Sequence, residues 1–260
     1  MVETVTRRLR VEHMMGTAIS IDLRDPDVDA QAVETTVDWF REVDARFSPF
    51  CPDSEISRLG RGELTLEECA LDVGEVLSRC EDLRLETGGV FNAWRWRGDG
   101  RLDPSGLVKG WSVERAAELL ARAGARNFCI NAGGDIVVRG KPEPGRDWRI
   151  GIRHPGDASA LAAVVQVSNL ALATSGNYER GDHIIDAGTR TLAGDLVSLT
   201  VAGPNLTFAD AYATVGFAMG SAGIGWVASR PGYSPYAVTR EGRVRYTDSF
   251  AALLGSTASG

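Results

Sequence analysis

"NFCINAGGDIVVRG", Asn127 to Gly140, decides how this chain folds. Two short apolar runs flank Gly133-Gly134, the pattern of two strands joined by a two-residue hairpin turn. Strand-like segments continue downstream as "WRIGIRH" (148–154), "AAVVQVS" (162–168), "LALATS" (170–175) and "LVSLTVAG" (196–203), separated by turn residues. Upstream, after one alternating strand, "TAISIDL" (17–23), the period is helical. "DVDAQAVETTVDWFREVDARFS" (27–48) sets Val33, Val37, Phe40 and Val43 on one helix face. "TLEECALDVGEVLSRCEDLRLETGG" (65–89) reads as a second helix that holds Cys69 and Cys80 and is closed by Gly88 and Gly89. "SVERAAELLARAG" (112–124) reads as a third, capped by Ser112. Between the first two, "SPFCPDSEISRLGRGE" (48–63), broken by Pro49 and Pro52, reads as a loop. After the strands come a helix, "TFADAYATVGFAMG" (207–220), and a short helical piece near 224–228. Two last strands, "PYAVTR" and "RVRYTD", meet at Glu241-Gly242. Helices and strands come in blocks rather than in strict alternation, which predicts an α+β fold.

The composition fits a globular domain with a substantial core: 260 residues, 43% hydrophobic and 24% charged. A net charge of −7 argues against a general nucleic-acid or anionic-membrane surface. No apolar run approaches the roughly 20 residues of a membrane helix, and the start lacks the apolar segment of a secretory signal. Cys51, Cys69, Cys80 and Cys129 form no CxxC pair and are expected as reduced thiols in a cytoplasmic protein. Three histidines and scattered cysteines argue against zinc.

Four segments carry candidate chemistry, and each has a plainer reading. In "TFADAYATVG", Asp210 and Thr214 stand four apart, which stacks two oxygens on one helix face as a hard cation such as Mg²⁺ needs. The plainer reading of this stretch is that Thr207 and Asp210 make a capping box, with Thr214 bonded back to the carbonyl of Asp210. In "LDPSGLVKG", Asp103, Ser105, Gly106, Lys109 and Gly110 lead into a helix. They are either an anion-binding helix start with Lys109 neutralising a phosphate, or simply a turn. In "NAGGD", Asn131 and Asp135 beside the turn need polar partners from backbone or ligand. In "ATSGNYERGDHIID", Thr174 and Ser175 offer hydroxyls, and His183 lies between Asp182 and Asp186, either a proton-transfer group or a structural histidine. No G-x-S-x-G elbow and no Rossmann G-x-G-x-x-G fingerprint appear.

Together "MGT" (15–17), "PDSEISRLG" (52–60), "GGVFN" (88–92), "DPSGLVKGWSVERAAELL", "NAGGDI", "ATSGNYER", "HIID" and "ADAYAT" occur in an order that resembles the FAD:protein FMN transferases, the ApbE family, from about Met15 to Met219. The resemblance implies a single ApbE-like, T-fold-related α+β domain over residues 1–255, with mixed or antiparallel sheets and packed helices, and a loose tail at 256–260. It implies FAD as substrate, Mg²⁺ at its diphosphate, and a target protein that receives FMN on a threonine while AMP leaves. Neither nucleic acid nor membrane is implied as a partner. By position, Asp210, Thr214 and the Gly106 carbonyl resemble the metal ligands. Met15, Asp103, Ser105, Lys109, Thr174 and Ser175 fall among the FAD contacts, and His183 takes the place of the catalytic base.

The chain departs from the family pattern in three places. Phe50 stands where tyrosine is usual, which keeps a flat face but loses a hydroxyl. The segment after Asn92 is shortened, so that Trp94 or Trp96 would supply aromatic surface. "HIIDAGTRT" replaces the usual "HIIDPxTG", which alters the loop that follows His183. The same site with water in place of threonine would be an FAD pyrophosphatase, giving FMN and AMP. A site that had lost the transfer step would be a flavin-binding module.

Overall fold

The computed structural model describes residues 8–94, 101–176 and 195–255. In it Asn127–Gly140 is a hairpin, as its pattern predicts. Strand β3 (Phe128–Ala132) pairs with β4 (Asp135–Arg139), and Ala132 faces Asp135 across a two-residue turn. Gly133 and Gly134 have φ of 59° and 97°, both in the region such a turn demands. A side chain at Gly133 would also place its first carbon 2.3 Å from the Thr17 hydroxyl.

This hairpin is the middle of an eight-stranded sheet in which every neighbouring pair is antiparallel. To one side lie β2 (Thr17–Leu23) and β1 (Arg8–Met14) at the edge. To the other lie β7 (Leu170–Gly176), β8 (Leu196–Gly203), β9 (Ser234–Thr239) and the edge strand β10 (Val244–Tyr246). Strands β5 (Trp148–His154) and β6 (Asp157–Val167) form a separate two-stranded sheet.

Side-chain alternation divides the core. Ile130, Val137, Ala171 and Val201 point to one face, where α1 (Ala30–Phe47), α3 (Leu71–Glu86), α4 (Ser105–Arg122) and α5 (Leu206–Ala218) pack. Ile136, Val138, Leu172 and Ala202 point to the other, against Trp148, Ile152 and Val165 of the β5–β6 hairpin. Burial on both faces is why β4, β7 and β8 read as nearly continuous apolar runs. Helix α5 is buried on almost every side, because helices and sheet enclose it together.

Several boundaries differ from the sequence pattern. The 48–63 stretch is not all loop: α2 (Glu55–Gly60) forms there, capped by the Ser54 hydroxyl on the Ser57 amide. The 65–89 segment divides into a 3₁₀ turn, Leu66–Glu68, closed by a Thr65–Glu68 capping box, and α3 from Leu71. Cys69 therefore lies outside the helix that carries Cys80. Helix α4 begins at Ser105, not at Ser112, whose hydroxyl instead donates to the Lys109 carbonyl inside the helix. Strand β1 is a largely exposed edge strand with Arg8, Arg10, Glu12 and His13 among its seven residues, and helix α7 (Asp248–Ala251) is a single turn, so neither stands out in the sequence. Helix α6 (Ser221–Ala228) lies where the short helical piece is expected. No described helix is long and apolar enough to cross a membrane.

All four cysteines are unpaired. Cys51 is exposed, whereas Cys80 is buried in the helical layer and burial pushes its thiol up to about 12. At neutral pH a thiol reagent is expected to modify Cys51 rapidly and Cys80 only after denaturant is added. Time-resolved thiol counting with site mapping by mass spectrometry checks this, and rapid modification of Cys80 in the folded protein would contradict the packing.

Candidate active site

Helices α4 and α5 run antiparallel and touch at three rungs spaced four residues apart. At the first, the Cβ position of Gly106 lies 3.6 Å from Thr214 Cγ2. At the second, the Gly110 amide donates to Asp210 Oδ2 over 2.8 Å. At the third, the Leu206 amide donates to Glu114 Oε2 over 2.6 Å. A side chain at Gly110 would come within 2.5 Å of the Leu206 carbonyl and 2.6 Å of Asp210 Cβ, so only glycine allows the helices this close. In a regular helix the Gly110 amide serves the Gly106 carbonyl; here Asp210 competes for that proton.

The capping box expected at Thr207 and Asp210 is not formed. The N-cap of α5 is Asn205, and its side chain makes no capping bond. Asp210 lies in the second turn, 4% exposed, with its carboxylate turned to α4. Thr214 shares a 3.2 Å hydrogen bond with Ser175 of β7 rather than serving only its own helix.

Lys109, next to Gly110, extends to the sheet, where its ammonium lies 2.7 Å from Asp135 Oδ2. Asp135 is fully buried at the first position of β4, and its other oxygen accepts from the Thr174 amide at 3.3 Å. The polar partner that "NAGGD" calls for at Asp135 is thus Lys109, while Asn131 accepts from the Gly134 amide within the turn. Thr174 also shares a 2.9 Å hydrogen bond with Thr200 of β8. The contacts close a ring: Asp210 to Gly110, Lys109 to Asp135, Asp135 to Thr174, and Ser175 back to Thr214.

Lys109, Thr174 and Thr200 open onto a cleft of about 450 Å³, within the range of small-molecule sites. Its other walls are the Gly133-Gly134 turn, Thr17, and Ile150 to Arg153 of β5. The polar residues come from the helix layer and strand ends, while Ile136, Ile150, Ile152 and Leu172 supply an apolar wall.

Of the remaining candidates, Asp103, Ser105 and Met15 adjoin α4. Asp103 is buried just before α4, and its Oδ1 accepts from both the amide and the hydroxyl of Ser105. The anion-attracting start of α4 is therefore partly occupied by the chain's own carboxylate. Met15 adopts φ 54° in the turn between β1 and β2, and its sulfur lies 3.7 Å from the Ser112 hydroxyl of α4. Phe50, 74% exposed in the turn after α1, and the half-exposed Trp94 are not among the residues lining the cleft. Trp96 and His183 lie outside the described residues. Glu114 was not singled out by any sequence motif; only its contact with a helix 92 residues away identifies it.

A model of the ApbE family matches residues 15–95 and 94–236. An Escherichia coli FAD:protein FMN transferase is 32% identical over 59% of this chain, a match that spans 45% of the relative's length. A Haemophilus influenzae protein of the same name is 26% identical over 92% of this chain and 88% of its own. The flavin transferase ApbE from Vibrio cholerae superposes with a TM-score of 0.81 at 24% identity, covering 96% of this chain and 99% of that one. The Thermotoga maritima ApbE protein gives the same TM-score at 20% identity, over 95% and 99%. These two structures establish a shared fold.

Replacing Gly110 by alanine is expected to force α4 and α5 apart and to destabilise the protein by about 1–3 kcal/mol, the usual cost of overpacking. A urea unfolding series reads this directly, and an unchanged midpoint would refute the close approach.

Proposed function

The chain belongs to the ApbE family, and from that premise we propose that it transfers FMN from FAD to a threonine hydroxyl of a target protein, with Mg²⁺, releasing AMP. The observation that carries this reading is the buried face where Asp210 and Thr214 meet the glycines of α4. The names of the relatives support the activity class.

The donor set fits the ion. The Asp210 carboxylate, the Thr214 hydroxyl and the Gly106 carbonyl would hold it, and all are hard oxygen donors with a single negative charge among them. Among the described residues no group of three or more His, Cys, Asp or Glu side chains is arranged as a metal cage. A set with one carboxylate suits Mg²⁺, which takes one or two carboxylates and fills its remaining positions with phosphate and water. When bound, Mg²⁺ supplies charge neutralisation on the diphosphate oxygens.

The chain's own groups then have distinct tasks. Lys109, held by Asp135, presents a fixed positive charge to the cleft for a phosphate oxygen. Asp103, ordered by Ser105, sits beside the start of α4, where the flavin nucleotide would approach. In the reaction the acceptor oxygen bonds to the FMN phosphorus while the bond from that phosphorus to the bridging oxygen breaks, and AMP leaves with that oxygen. The hydroxyl proton passes to His183, a role that rests on the family resemblance.

Incubation with FAD, Mg²⁺ and a candidate acceptor protein tests the reading. Intact mass should rise by one FMN less a water, with AMP released in equal amount. AMP without an adduct would favour the pyrophosphatase, and neither product would favour the binding module. Asp210→Asn and Thr214→Val should remain folded, since each keeps shape, yet lose Mg²⁺-dependent AMP release. His183→Ala should keep FAD binding and lose about a hundredfold to ten-thousandfold in rate. Normal turnover in all three variants at ordinary Mg²⁺ would defeat these assignments.

A further inference from the structure

Glu114 is the junction of three elements, and the chemistry assigned to the site makes no use of it. It projects from α4 one turn beyond Gly110 and is only 7% exposed. Its Oε1 accepts from Arg139 of β4 over 2.6 Å, and its Oε2 accepts from Leu206, the first residue of α5, over 2.6 Å. Asn205, which by position should cap α5, does not: among the described residues its side-chain oxygen accepts no hydrogen bond. The first turn of α5 is therefore capped from another helix, by a carboxylate that a strand holds in place.

We propose that Glu114 is a positioning residue that sets the register of α5, and so aims the Asp210 and Thr214 oxygens at the first turns of α4. The argument is geometric. Glu114, Gly110 and Gly106 descend α4 in steps of four while Leu206, Asp210 and Thr214 ascend α5 in steps of four. One residue of slip turns a helix by about 100° and moves it by about 1.5 Å, which would carry both oxygens off the shared face. The close fit of Gly110 against Leu206 and Asp210 already limits sliding, but the first turn of α5 has no cap of its own to hold it in that fit. The Leu206–Glu114 bond is directional, and the Arg139 pair fixes its acceptor. Groups bonded directly to metal ligands change metal affinity by about tenfold to a hundredfold; Glu114 acts one step further back, through the backbone of α5, so its effect belongs at the lower end of that range.

The inference rests on the Mg²⁺ reading of Asp210 and Thr214, and its test separates the two. Mg²⁺ is titrated calorimetrically into the FAD-saturated protein and variants, with melting curves and FAD affinity without Mg²⁺ measured in parallel. Glu114→Gln keeps the size but has only one oxygen for two donors. Its Mg²⁺ dissociation constant should rise about tenfold, while FAD affinity without Mg²⁺ stays within about twofold. Arg139→Gln leaves the carboxylate on Leu206 and should give a smaller rise in the same direction; if Glu114→Gln does not fold, Arg139→Gln carries the test alone. A lowered melting temperature with a wild-type Mg²⁺ constant would overturn the proposal, since a merely structural group behaves that way. Wild-type protein that binds no Mg²⁺, or Asp210→Asn that binds it normally, would overturn the metal reading and this inference with it.

Discussion

The approach of Asp210 to the Gly110 amide is the contact on which the rest of the site depends. It can form only because Gly110 has no side chain, and it joins the two helices that the sheet holds side by side. From it the polar ring extends in both directions, through Lys109 to Asp135 and through Thr214 to Ser175. Each link fixes the next. Moving α5 away from α4 would disturb the Thr214–Ser175 contact, and moving α4 would leave Asp135 without its ammonium.

A carboxylate in an apolar core is costly unless it is paired. This fold buries Asp135, Asp210 and Glu114, and meets each with a specific donor: an ammonium, a backbone amide, and an amide together with a guanidinium. A buried network of paired groups also specifies one packing over others. The helix layer therefore supplies rigidity and charge, while the cleft on the sheet's far side, with its Ile150 and Ile152 wall, supplies apolar surface.

Much of the architecture was legible in the strands and long helices. "LVSLTVAG" is β8 residue for residue, and Val33, Val37, Phe40 and Val43 all face the core. What was misread is instructive. Ser112 has the chemistry of a cap, but the helix already runs through it, because Gly106 and Gly110 are helical for packing rather than serving as a turn. Thr207 and Asp210 have the spacing of a capping box, yet Glu114 takes the first amide and the Asp210 carboxylate accepts from the Gly110 amide of another helix. Local rules treat each helix end as if it stood alone, and here the competing partners are about a hundred residues away.

The sequence by itself determined the α+β class, the antiparallel hairpins, and the residue types that can hold a phosphate or a hard cation. Those follow from periodicity, turn chemistry and side-chain chemistry, which are properties of neighbouring residues. Which face Asp210 presents, which partner Lys109 takes, and what caps α5 were decided only by the tertiary structure. A carboxylate's role depends on the donors that reach it, and those donors arrive from α4 and β4 only when the helices have been laid on the sheet.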